Sequence, residues 1–222
     1  MAKRHQAGAM IFSMLLSNLI FAATIEKNCN KAYWSCHSSF YVTGGYVFAH
    51  YLLNNNQLSL TPPGQPKINF TPKDTFPNNA SGMRFGFGSG LGTNTPFTYE
   101  IDYNQIFTHS NTGTDLKVSR ASKSLVVILG YTLNPKNRLR TSLVGGASVF
   151  STYRTDTTVA PHQFFSQNSN SVDVDPFLGG SLAYQINSSF ALRAVEFYDF
   201  ATYNRSATGS LVTLLMLNYY PG

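Results

Sequence analysis

Three groups of residues in this sequence could do chemistry. The first is His109-Ser110, in the run Phe107-Thr-His-Ser-Asn-Thr-Gly113, where a base stands beside a hydroxyl nucleophile. Nucleophilic catalysis needs base, nucleophile and an acid gathered on one face. Adjacent residues on a strand point to opposite faces, so this spacing does not supply that geometry, and the pair reads as part of a loop. His50 and His162 likewise read as strand-end and loop residues. The second group is Cys29 and Cys36, with His37 beside them. Two Cys and one His lack the fourth ligand of a structural metal site. In an oxidising compartment the two thiols are expected to close a short disulfide loop. No catalytic, cofactor or metal site is therefore expected.

The third group is a set of charges at alternating positions: Arg84, Glu100, Asp102, Arg120, Arg140 and Glu196. Each falls on the less apolar face of its segment by a count of every second residue. Three acids then balance three bases, as a narrow interior requires, because buried charges must be paired. The plain reading of this network is filling, and the sharper one is a gate that exchanges partners and admits ions.

The elements that must hold these residues are strands. Beyond residue 38 the apolar pattern has a period of two. Phe97, Tyr99, Ile101 and Tyr103 alternate with Thr98, Glu100, Asp102 and Asn104. Leu211, Thr213, Leu215, Leu217 and Tyr219 alternate with Ser210, Val212, Leu214, Met216 and Asn218. Eight such runs are expected, near 39–51, 82–91, 97–107, 118–132, 139–151, 175–186, 190–200 and 208–220. Their connections alternate between long (52–81, 108–117, 152–174, 201–207) and short (92–96, 133–137, 187–189). Aromatic residues lie on the apolar face near strand ends, among them Phe97, Tyr103, Tyr131, Tyr184 and Tyr219. On this parity Lys123 and Arg193 fall on the apolar face, close to strand ends where a charge is cheap.

Composition narrows the class further. Of 222 residues, 43% are hydrophobic and 14% aromatic, but only 12% are charged, about half the share of an ordinary soluble domain. Ser, Thr and Asn make up the difference. No segment beyond the N-terminus is apolar for long enough to cross a membrane as a helix. The formal charge is +6, but the basic residues are scattered singly, which argues against nucleic acid as a partner. Residues 1–23 read as a secretory signal, with Lys3 and Arg4 at the start, an apolar stretch from Met10 to Phe21 and a small-residue exit at Ala22-Ala23. An uncleaved anchor is the alternative. Residues 24–37 form an N-terminal segment carrying the Cys loop, and 38–222 the strand-rich body.

Taken together, the Phe40-Tyr-Val-Thr-Gly-Gly-Tyr46 opening strand, the Gly-rich Arg84-Phe-Gly-Phe-Gly-Ser-Gly90, Leu143-Val-Gly-Gly-Ala147, Leu178-Gly-Gly-Ser-Leu-Ala-Tyr184 and the closing Leu211–Tyr220 run resemble the small outer-membrane barrels of Gram-negative bacteria, of the OmpA-transmembrane, OmpX and opacity-protein type. The resemblance covers nearly the whole mature chain. It implies an all-β, eight-stranded, antiparallel up-and-down transmembrane β-barrel in the outer membrane, in contact with its lipids and lipopolysaccharide. It further implies a structural, surface-interaction or adhesion role towards host or neighbouring surface molecules through loops 52–81 and 152–174, with a monomer favoured and no cofactor. Two departures stand out: Pro221-Gly222 follows Tyr219-Tyr220, where such chains often end on an aromatic residue, and no peptidoglycan-binding domain follows. Alternative readings are a narrow pore, a lipid A-modifying enzyme using the His109 region, and a secreted lipocalin-like barrel, whose interior would be apolar.

Overall fold

A computed structural model describes residues 40–61, 67–91, 96–111, 116–135, 137–159, 163–171, 174–200 and 207–221. The expected leader, Cys29, Cys36, His37 and His162 lie outside them.

The strands are β1 (Phe40–Leu53), β2 (Leu58–Leu60), β3 (Ile68–Phe70), β4 (Asn79–Gly90), β5 (Phe97–Ser110), β6 (Leu116–Thr132), β7 (Leu139–Val159), β8 (Gln163–Ser171), β9 (Asp175–Gln185), β10 (Phe190–Asp199) and β11 (Ala207–Tyr219). A short helix, α1 (Pro72–Thr75), follows β3, with Pro72 at its first position, where the missing N–H costs nothing. Eight of the strands pair antiparallel in the cyclic order β6-β5-β4-β1-β11-β10-β9-β7, and the β6–β7 pairing closes the cylinder. These eight correspond to the eight expected runs. Closure leaves no edge in the ring, the condition a sheet must meet where no water can satisfy its backbone.

The register fixes the tilt. Following Cα partners from Ser81 through Phe48, Thr213, Glu196, Gly180, Leu143 and Tyr131 to Phe97 leads back to β4 beside Leu91, not Ser81. An offset of this kind makes the strands slant across the barrel axis.

Alternation sorts the side chains. Along β10, buried Ala191, Arg193, Val195 and Phe197 alternate with exposed Phe190, Leu192, Ala194 and Glu196. Outward residues are strongly apolar: Phe85 is 57% exposed, Leu215 53% and Leu178 63%. At the short-turn end aromatic rings pair across strands on this outer face, Phe97 with Tyr131 at 5.0 Å between centroids and Phe190 with Tyr219 at 5.2 Å. The guanidinium of Arg138 lies 5.0 Å from the Tyr184 ring at the same end.

Two expected loops hold further structure. Within 52–81, β2 pairs with β3, and Ile68, Phe70 and Phe76 pack on buried Val118 of β6. Within 152–174, β7 runs on to Val159 and turns back as β8, pairing from Ser151 with Ser171 to Val159 with Gln163. Thr152, Thr155, Thr157, Thr158 and Val159 suit an extended chain, so high polarity here did not mean irregular backbone.

Candidate functional site in the barrel lumen

The lumen is lined by every second residue of eight strands and divides into two walls. One wall, from β6 round to β11 and onto β1, is aliphatic and aromatic. Val47, Val126, Ile128, Val144, Val195, Val212, Leu214 and Met216 form a buried cluster with Phe177 and Phe197, whose rings lie 4.5 Å apart. The other wall, on β4 and β5, carries charge. Arg84, Glu100 and Asp102 are all at least 99% buried.

These three meet in one cluster with Tyr41 of the adjacent strand β1 and Arg193 from the far side. Arg84 Nη2 donates to Asp102 Oδ2 and lies 3.5 Å from Glu100 Oε1. Arg193 Nη1 reaches across from β10 to donate to Glu100 Oε2 at 2.5 Å. Tyr41 Oη donates to the same oxygen at 2.8 Å. Two acids thus face two bases, with Glu100 at the centre of the clamp. Glycine makes the room. Gly86 is the Cα partner of Asp102, and a Cβ there would strike the Asp102 carboxylate. A Cβ at Gly88 would lie 2.5 Å from the Tyr41 ring.

The other charges expected inside are not part of this clamp. Arg140 points into the short-turn mouth and donates to Gln185 Oε1 at 2.5 Å. Arg120 stands at the opposite mouth, its guanidinium 5.8 Å from the Phe76 ring. Glu196 is a correction: it is exposed on the outer face, while Arg193 is only 8% exposed, inside. The parity of β10 is opposite to that expected. The outer face of β10 carries Glu196 and the inner face Arg193 and Asp199, so either parity places charge inside and charge alone did not choose between them. The choice is made by Phe190, which starts the strand and joins the outer ring with Tyr219, and by Glu100 on the opposite wall, which supplies the partner for Arg193. An aromatic at a strand start, as at Phe97, was the available sequence signal. Lys123 points outward and is exposed.

His109 and Ser110 end strand β5 instead of lying in a loop. His109 Nε2 sits 2.8 Å from the Ser81 amide nitrogen and 3.0 Å from the Ser81 carbonyl oxygen. The imidazole is therefore engaged by backbone. His50 Nδ1 lies 2.7 Å from Asn79 Oδ1.

Nearer the long loops the lumen opens. A cavity of about 90 Å³ is lined by Asn104, Ser124, Ser148, Asp175, Asp199 and Ser210, above a floor that includes Val47, Val126 and Phe197. The Asn104 side chain was not singled out by sequence reading. It sits on the same face as Glu100 and Asp102, which was the signal available.

An apolar outer belt about a charged and aliphatic interior is the inverse of a soluble ligand-binding barrel, and only a bilayer solvates such a surface. Aromatic rings at the strand ends sit where the two membrane interfaces would lie. Short turns mark the periplasmic end and long connections the extracellular one. No helix among the described residues is long and apolar enough to cross a membrane.

No protein-family model matches the sequence, and no curated protein does. Solved structures do. Ail, the attachment invasion locus protein of Yersinia pestis, aligns at 10% identity and a TM-score of 0.49, covering 81% of this chain and 96% of its own. Neisserial surface protein A aligns at 14% identity and 0.47, covering 83% and 98%. The outer membrane protein OprG from Pseudomonas aeruginosa aligns at 8% and 0.43, covering 82% and 92%. The geometry of this chain is that of a closed, eight-stranded, membrane-spanning barrel of the outer-membrane type, apolar outside and filled within.

Proposed function

We propose that this barrel is an anchor in the outer membrane of a Gram-negative bacterium that holds a β-sheet outside the cell for contact with lipopolysaccharide, neighbouring surfaces or host molecules. One observation carries the reading. Strands β6, β7 and β8 continue past the level at which the other barrel strands end, as a three-stranded sheet pairing Leu116 with Val159 and Val159 with Gln163. Nine residues of β8 pair with β7, so the projection is roughly 30 Å long at 3.3–3.4 Å per residue. Among the described residues β8 pairs on one side only. Its other edge offers backbone donors and acceptors to an incoming chain. The Arg84–Glu100–Asp102–Arg193 clamp fills the lumen at mid-depth, which supports a filling role for the interior charges over a pore. His109 serves to hold the β4 backbone at Ser81, a structural role and not a catalytic one.

The test is display on a non-adherent bacterium. A chain in which residues 153–169 are replaced by Asn-Gly should keep the heat-dependent gel shift of a folded barrel. It should also lose at least tenfold of the binding to epithelial cells that the full chain confers. Equal binding by both chains, or none by the full chain, would overturn the reading.

A further inference from the structure

We propose that the outer edge of strand β8 pairs with the same edge of a second copy of this chain projecting from a facing membrane, so that two barrels join strand to strand across the gap between cells. The inference rests on the reading that the β6–β7–β8 sheet stands outside the membrane, and it names one partner for that sheet.

The edge is distinguished by what it lacks. A strand at the rim of a sheet offers unpaired N–H and C=O groups, and proteins blunt such rims with Lys, with Pro, with a bulge or by keeping the strand very short. β8 has none of these devices. Its nine residues, Gln163-Phe-Phe-Ser-Gln-Asn-Ser-Asn-Ser171, include no charged residue and no Pro. Its pairing with β7 runs from Ser151 with Ser171 to Val159 with Gln163 without a shift of register, and among the described residues β7 is its one neighbour. The charges of the projecting sheet belong instead to its other two strands, Lys117 and Arg120 on β6 and Arg154 and Asp156 on β7. Low charge and absence of Pro are also the signature of segments that add to one another strand on strand.

Neutrality selects the partner. In a self-pairing ladder a charged edge sets like charges across from one another, which is destabilising. A neutral edge carries no such penalty against its own copy.

Symmetry then selects the direction. Two copies in one membrane point the same way, and a two-fold axis running along their strands would set identical backbone groups at one height, donor facing donor. Two copies from facing membranes point in opposite directions. Their two-fold axis is perpendicular to the strands, and the edges close an ordinary antiparallel ladder. In the register centred on Gln167, that residue meets its own copy, and Ser166 meets Asn168 of the second chain. Full overlap holds the membranes about one projection apart, roughly 30 Å at 3.3–3.4 Å per residue. Many copies on two facing surfaces add their ladders by avidity.

The experiment inserts the full chain into preformed phospholipid vesicles and reads clustering by light scattering, with dye-labelled empty vesicles present. Vesicles bearing the chain should cluster and leave the empty ones dispersed. Ser166→Lys/Asn168→Lys sets lysines opposite each other across the two-fold axis and should cut clustering at least tenfold, and Ser166→Glu/Asn168→Glu should do the same. Both variants should keep the gel shift of the folded barrel. Mixing the Lys vesicles with the Glu vesicles should restore clustering, because each lysine then meets a carboxylate. Dispersed vesicles with the unmodified chain overturn the proposal, as do recruitment of the empty vesicles, undiminished clustering by either double variant, or a Lys–Glu mixture that stays dispersed. These outcomes bear on self-pairing alone, since the display reading is tested separately by binding to epithelial cells.

Discussion

The lumen is built by two different rules along its length. Around Glu100, four charges and a tyrosine converge from β1, β4, β5 and β10, and the space between them is closed. Nearer the extracellular mouth, side chains of similar polarity line an open cup. The same cylinder, with the same alternation, supports both. Closure by the β6–β7 ladder is settled by backbone pairing and does not depend on what fills the interior. The clamp can therefore serve rigidity without the cup having to do so. If this division is right, substitutions in the clamp should cost stability and those in the cup should not.

The largest expected effect is at Glu100. Its two oxygens are shared by Arg84, Arg193 and Tyr41, and Glu100→Gln leaves the buried Arg193 guanidinium facing a neutral amide. Breaking a buried pair from one side costs about 3–5 kcal/mol. The expected outcome is a large drop in the urea midpoint for unfolding from vesicles. Adding Arg193→Met should recover part of the loss, because the stranded charge is then gone. A Glu100→Gln barrel that unfolds at the original urea concentration would show that the clamp contributes nothing to stability.

How far this arrangement can be read from sequence varies with the kind of information involved. The eight strands were legible because Phe97 to Asn104 and Ser210 to Tyr219 alternate between two environments, and that pattern is local. The clustering of Arg84 with Glu100 and Asp102 was accessible for the same reason, since β4 and β5 are joined by a short turn. Arg193 was not. Its partner lies 93 residues away in the chain, and a strand with charges on both faces gives alternation nothing to choose between. A slip of one residue reverses every side chain on a strand, so the mistake on β10 exchanged Arg193 and Glu196 together. The cup was invisible for a further reason: Ser124, Ser148 and Ser210 come from three strands, and only the register sets them at one level. The β7–β8 extension was missed because its Asn, Ser and Thr residues have no apolar face to alternate.

The outer face sharpens the comparison at intermediate cost. Leu215 lies within the apolar belt, so Leu215→Arg should lower stability by about 2–4 kcal/mol, as a cation in the hydrocarbon does. Lys123 is already exposed on the extracellular half of the outer face, partnered by Gln105, and Lys123→Leu should shift stability by no more than about 1 kcal/mol. Glu196 separates the two cases. It sits among Leu178, Leu182, Leu211 and Leu215 with Gly180 and Thr213 as its ladder partners. Glu196→Leu should therefore stabilise the barrel in vesicle unfolding experiments. Equal effects at all three positions would mean that depth in the belt does not govern the outer face.

The smallest expected change is in the cup itself. Asn104→Leu replaces a buried amide, whose oxygen lacks a donor, with an apolar group of similar volume. Exchanging an unsatisfied polar group for an apolar one is close to neutral or mildly stabilising. Vesicle unfolding should then give a urea midpoint equal to or slightly above the original, within about 1 kcal/mol. The contrast with Glu100 is what decides the matter, because both residues are on β5, both point inward and both are almost fully buried. If polar groups in this lumen were all retained for stability, the two substitutions would cost alike. A near-neutral Asn104→Leu beside a severely destabilised Glu100→Gln would show that one strand, four residues apart, carries one polar group on which the fold depends and one on which it does not.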